Sequence, residues 1–138
     1  MTTLNDSVTI AAARVPDDER MNTLPSHFGR HLLTVENAIY AWLRELSGEY
    51  SGGYWHFYEL SNGGFYMAPE GESLQLRVDG NGYDGRMSAD AAGIVACLFA
   101  LSHLSFRIPN EMLSRHFHQL LEFAAEHQEA SAIMAATD

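Results

Sequence analysis

The stretch that most restricts the fold lies past the middle of the chain, "SADAAGIVACLFALSHL" at 88–104. Read as a helix it is apolar almost all the way round, so no face is left for water. Such a helix is stable only where other elements cover every side, and the rest of the chain has to wrap around it. Ser88 is placed to cap its first turn, and Asp90 sits where the helix dipole favours an acid. The unbroken apolar part, residues 91–101, is far short of the roughly 20 residues that span a bilayer, which predicts a core helix.

What surrounds this helix is read from periodicity. Phe28, Leu32, Val35, Ile39, Trp42 and Leu46 recur at steps of four and three, which predicts one helix over 27–47 that stops at Gly48. "YWHFYEL" and "GFYMA" read as strands joined by a four-residue loop, Ser61-Asn62-Gly63-Gly64. Leu74, Leu76 and Val78 alternate with Gln75, Arg77 and Asp79, the period of a half-buried strand. Asn81-Gly82 is a strong hairpin signal that returns the chain through "YDGRM". Pro109 breaks the apolar helix, and Asn110 can cap another over 111–127, with a short tail helix beyond. This order predicts an α+β domain: an N-terminal helix, a four-stranded antiparallel meander, then two or three C-terminal helices packed on the sheet. The length of 138 residues suits a single domain over 15–138, with residues 1–14 a flexible lead.

Charge narrows the partners. There are 18 acidic residues against 8 basic ones, all arginine, for a formal net charge of −10. That balance lacks the basic patch of a nucleic-acid binder and does not suit an anionic membrane surface. Cys97 is the one cysteine, so no intrachain disulfide forms. With no signal-peptide pattern at the start, the cytoplasm is the expected compartment.

The candidate chemistries are weak. His27 and His31 share a helical face, but there is no HExxH pattern and one cysteine cannot build a Cys-rich zinc site. His56 and Glu59, three apart on a strand, fall on opposite faces, so a His–carboxylate dyad would need Asp79, Asp84 or Asp90. "GNGYDG" matches a dinucleotide fingerprint in letters only, because it lies in a β-turn, and the chain has no lysine for a phosphate loop. No cofactor, no metal and no catalytic residue are expected. Interaction chemistry is better supplied. Trp55, Phe57, Glu59 and Tyr66 are expected on one sheet face, opposite Leu60, Phe65 and Met67. With Asn62, Arg77, Asp79, Asp84, Arg86 and Asp90 they form the candidate partner-binding set, since Trp, Tyr and Arg are enriched at interface centres. The rings suit a core as well as a surface, whereas the charges suit a surface. If the turn at Asn81-Gly82 is two residues long, Asp79 faces Asp84 and Arg77 faces Arg86.

"HFGRH", "GGYWHFYELSNGGFYMAP", "RVDGNGYDGRMSADAAGIV" and "FAAEH" resemble the antirestriction proteins of the ArdB/KlcA family, carried by plasmids and other mobile elements. The resemblance implies a small α+β protein that inhibits type I restriction endonucleases of the bacterial host and so protects incoming DNA. The implied partner is the restriction complex or a host protein acting on it. Trp55, His56, Glu59, Asn62, Asp79, Asn81 and Asp90 are members of the matching motifs and carry no chemical step. One way to block a DNA enzyme is to imitate DNA. A compact chain of this length is roughly 35–40 Å across, and duplex DNA over that span carries more than about 20 charges. A net of −10, interrupted by arginines, falls short of that. A non-catalytic protein contact is therefore expected, with an acidic DNA mimic and a small hydrolase using a His–carboxylate site as the alternatives.

Overall fold

The computed structural model describes residues 9–138. A short strand, β1 (Ala12–Arg14), leads into helices α1 (Arg20–Phe28) and α2 (Leu32–Leu46). Strands β2 (Trp55–Leu60), β3 (Phe65–Pro69), β4 (Ser73–Val78) and β5 (Tyr83–Ser88) follow, then helices α3 (Ala89–Arg107), α4 (Glu111–Ala124) and α5 (Ala130–Thr137).

Helix α3 is the axis of the fold, as its all-round apolar surface requires. The Ser88 hydroxyl accepts the Ala91 amide N–H at 3.0 Å and caps its first turn. Ala91 through Leu98 are all buried without interruption. The helix runs to 19 residues, longer than its apolar run, and is the one described helix long and apolar enough to cross a membrane; 67% of that window is buried inside the fold. Gly93 lets it lie against β3: a Cβ there would stand 2.5 Å from the Ala68 backbone. Leu113, Leu120 and Ala124 of α4 and Ile133 and Ala136 of α5 are fully buried in the same core. Asn110 caps α4 as read from the sequence, its side-chain oxygen accepting the Met112 N–H at 2.9 Å.

Four features differ from the sequence expectation. The strands make two sheets, β1-β2-β3 and β4-β5, and not one meander. The extra strand β1 pairs with β2 through Ala12↔Leu60, Ala13↔Glu59 and Arg14↔Tyr58. The flexible lead expected over 1–14 thus has its end built into a sheet, and its residues 1–8 lie outside the described residues. The predicted helix 27–47 is two helices. Gly29, at φ 52° and ψ −127°, ends α1, and the turn Gly29–His31 resets the axis before α2 begins. The apolar period survives the break because both pieces rest on the same core.

The fourth difference is register. Leu60 N–H donates to the Gly64 carbonyl at 3.0 Å, so the β2–β3 loop is Ser61-Asn62-Gly63, one residue shorter than expected. A one-residue slip turns a strand over. Tyr66 consequently faces with Tyr58, and Phe65 and Met67 face with Glu59 and Phe57. Close contact with α4 favours this arrangement, since a Cβ on Gly64 would stand 2.9 Å from the Gln119 Cβ. In the second hairpin the last pair is Val78↔Tyr83, so its loop is four residues and Arg77 faces Asp84, not Arg86. The Asn81 amide then serves another element: it donates to the Ala136 carbonyl at 2.9 Å and the Asp138 carbonyl at 3.0 Å, closing the end of α5.

Candidate functional site

The candidate interaction residues separate into a buried group and an exposed one. Trp55, Phe57 and Tyr66 are 3%, 5% and 3% exposed, so they belong to the core and offer no docking surface. Trp55 packs between Tyr40 and Tyr50, with ring centroids 5.1 and 5.7 Å away, and its indole N–H donates to the Tyr50 hydroxyl at 3.0 Å. Tyr66 stacks on Tyr58 at 4.6 Å. The aromatic hairpin is thus mainly core, which a chain this short needs to cover both faces of a narrow sheet. Tyr54 is its one strongly exposed ring, with the Arg20 guanidinium 4.3 Å over it.

The exposed group is Arg77, Asp79, Asp84 and Arg86, all solvent-facing on or beside the outer face of β4 and β5. Leu76, Val78 and Met87 fill the inner face, which is the alternation read from the sequence. Asp84 accepts a hydrogen bond from the Gln75 side chain at 2.5 Å. The Arg86 guanidinium donates to Glu49 at 2.7 Å and to the Ser73 hydroxyl at 2.9 Å. The Arg86 and Gln75 donors hold the Glu49 carboxyl below the usual carboxylate range. Arg77 lies opposite Asp84, and beside it a cleft of about 440 Å³ is lined by Glu45, Leu46, Gly48, Glu49, Gln75, Arg77 and Asp79. Charges held in fixed positions next to a cleft can select a partner by charge pattern, because little side-chain order has to be lost on contact.

Glu59, Asn62 and Asp90 are half-exposed and serve internal contacts. The Tyr66 hydroxyl donates to Asp90 at 2.8 Å and His127 Nε2 contacts its other oxygen at 2.9 Å. Because the Glu129 N–H donates to His127 Nδ1 at 2.9 Å, the ring carries its proton on Nε2 and donates to Asp90. Burial raises the Asp90 carboxyl, but these two donors outweigh it and hold it below the usual range. Both oxygens of Glu129 are taken by Ser88, one by its N–H at 2.9 Å and the other by its hydroxyl. Asp90 and Glu129 therefore fasten the start of α3 to the α4–α5 connection.

Sequence reasoning missed the second polar network, because its members are far apart in the chain. His27 of α1 and His116 of α4 are 89 positions apart and meet at 3.1 Å, Nδ1 to Nε2. His27 Nε2 contacts Glu59 of β2 at 2.7 Å, and His116 Nδ1 contacts the Gln119 side-chain oxygen at 3.1 Å. Burial, with His27 and Arg115 nearby, lowers His116 to about 4. His56 faces a smaller cleft of about 280 Å³ shared with Arg14, Tyr58, Glu70 and Asp90, with Nε2 3.8 Å from Glu70. No group of three or more metal-ligating side chains converges among the described residues. Burial pushes the Cys97 thiol up to about 12, so it is not a nucleophile at neutral pH.

A narrow two-sheet scaffold wraps one apolar helix and displays charge on the β4–β5 hairpin. Comparison with known proteins places it. A family model described as antirestriction protein matches residues 48–138. The chain is 47% identical to the antirestriction protein KlcA of Escherichia coli over 137 residues, covering 94% of each. It is 43% identical to an uncharacterized protein, YafX, of Escherichia coli K12, covering 90% of this chain and 85% of that one. A solved structure matches with a TM-score of 0.90 at 44% identity, covering 99% of this chain and 100% of the other. The KlcA and ArdB proteins show a novel fold and antirestriction activity against Type I DNA restriction systems in vivo but not in vitro. The chain belongs to the antirestriction family, and its α+β fold is the KlcA/ArdB fold.

Proposed function

We propose that this protein relieves type I restriction in the bacterial cytoplasm by a non-catalytic contact made through the outer face of β4 and β5 and the cleft beside α2. One observation carries the reading: KlcA and ArdB, which share this fold, show antirestriction activity against Type I DNA restriction systems in vivo but not in vitro. An inhibitor that filled the nuclease's own DNA site would also act on the purified enzyme. The contact is therefore with a cellular component acting on the restriction complex, or with a form of the complex that exists only in the cell.

Each ring of His27, His116 and His127 has both nitrogens engaged within the protein, which gives these three a structural use. Full DNA mimicry is disfavoured by the same face that makes the best contact surface, where Arg77 and Arg86 stand among Asp79, Asp84 and Glu49. A phosphate row has no such interruptions.

The test is the triple variant Arg77→Ala, Asp84→Ala, Arg86→Ala, assayed by plating unmodified phage on cells that carry a type I system. Exposed pairs of this kind contribute about 0–1 kcal/mol, so the fold should persist. Restriction is expected to return. A folded triple variant that protects as well as the parent overturns the assignment of this face.

A further inference from the structure

The donors and acceptors around His27 can be counted from a fixed end. The Gln119 side-chain N–H donates to the Asn62 backbone carbonyl at 3.1 Å, and a carbonyl can only accept. The amide of Gln119 is therefore oriented with its oxygen toward His116 Nδ1, 3.1 Å away, which must carry a proton. At the other end, the Glu59 carboxylate faces His27 Nε2 at 2.7 Å, which must also carry one. Between them His27 Nδ1 and His116 Nε2 approach to 3.1 Å, and one of the two must donate. Two neutral imidazoles have two N–H groups in all, and this chain of contacts requires three.

We infer that the His27–His116 pair holds one extra proton, resident on His27 as a part-buried imidazolium paired with Glu59, and that this proton latches α1 to β2 and α4. His27 is the site because it touches the carboxylate, whose side chain is 44% exposed, whereas the His27 side chain is 11% exposed. His116 has the opposite environment, with burial and the Arg115 charge set against a proton there. Phe28 of α1 and Phe65 of β3 stand 6.0 and 5.4 Å from the His27 ring.

The latch fails in both directions. Removing the proton leaves a lone pair facing a carboxylate or another lone pair. Adding a second puts two imidazolium rings against each other. The network is therefore complete only in an intermediate pH window, and α1 should loosen on either side of it.

Nitrogen-15 NMR of the histidine rings in the full chain at neutral pH tests this. His27 should show two protonated nitrogens, and His116 one protonated at Nδ1 and one bare. In Glu59→Gln the counter-charge is gone, and both rings should take the neutral pattern at the same pH. Two neutral rings in the parent protein overturn the inference, and so does a Glu59→Gln protein in which His27 remains doubly protonated. Should Glu59→Gln fail to fold, the parent spectrum decides alone.

Discussion

At the scale of single residues, burial separates what a substitution does to the fold from what it does to function. Trp55 was a candidate for the contact surface, but it lies among Tyr40, Tyr50 and the core. Trp55→Ala should destabilise the protein by about 3–5 kcal/mol, read by denaturant unfolding, and any loss of protection would follow from that. Arg77→Ala, by contrast, should stay within about 0.5 kcal/mol of the parent. His116 sets an acid limit. Its folded value of about 4 lies below the ordinary 6.5, so between the two the unfolded chain binds the extra proton. Its contribution to stability is complete above pH 6.5 and is lost as pH falls toward 4. Thermal unfolding across that range should show the melting temperature falling, and His116→Asn should flatten the slope.

At the scale of elements, the decisive contact is α3 against β3. Gly93 is required there by space, since any Cβ would press on the Ala68 backbone. Gly93→Val should cost about 3 kcal/mol or more, or prevent folding, because backbone cannot move aside as a side-chain tip can. Denaturant unfolding or soluble yield measures it. The α5 end depends on Asn81, which reaches the last carbonyls of that helix from the β4–β5 loop. Asn81→Ala should free those carbonyls and raise amide exchange across Ala130–Thr137 while leaving α3 protected.

At the scale of the whole molecule, the question is whether the protein acts as a charged body or as a shaped one. Its net of −10 is small against a duplex of the same length, and arginines punctuate the acidic face. Purified protein added to a purified type I nuclease should leave cleavage unchanged, and extract from restricting cells should restore inhibition. A mimic would instead inhibit the purified enzyme directly and lose potency steeply with salt. A cleavage assay with and without extract distinguishes the two outcomes.

Legible in the residues alone were the central helix, its Ser88 cap, the Asn110 cap, the order of the elements from β2 to α5, the charged side of β4 and the family. These are legible because each depends on neighbours a few positions apart, where periodicity and capping act. Folding in three dimensions was needed to divide the strands into two sheets, to bring Tyr66 beside Tyr58, and to join His27 to His116. The face of β3 follows from one residue of loop length, chosen by the approach of α4 to Gly64. The histidine pair joins positions 27 and 116, and no local pattern reports a contact made by folding the chain back across its whole length.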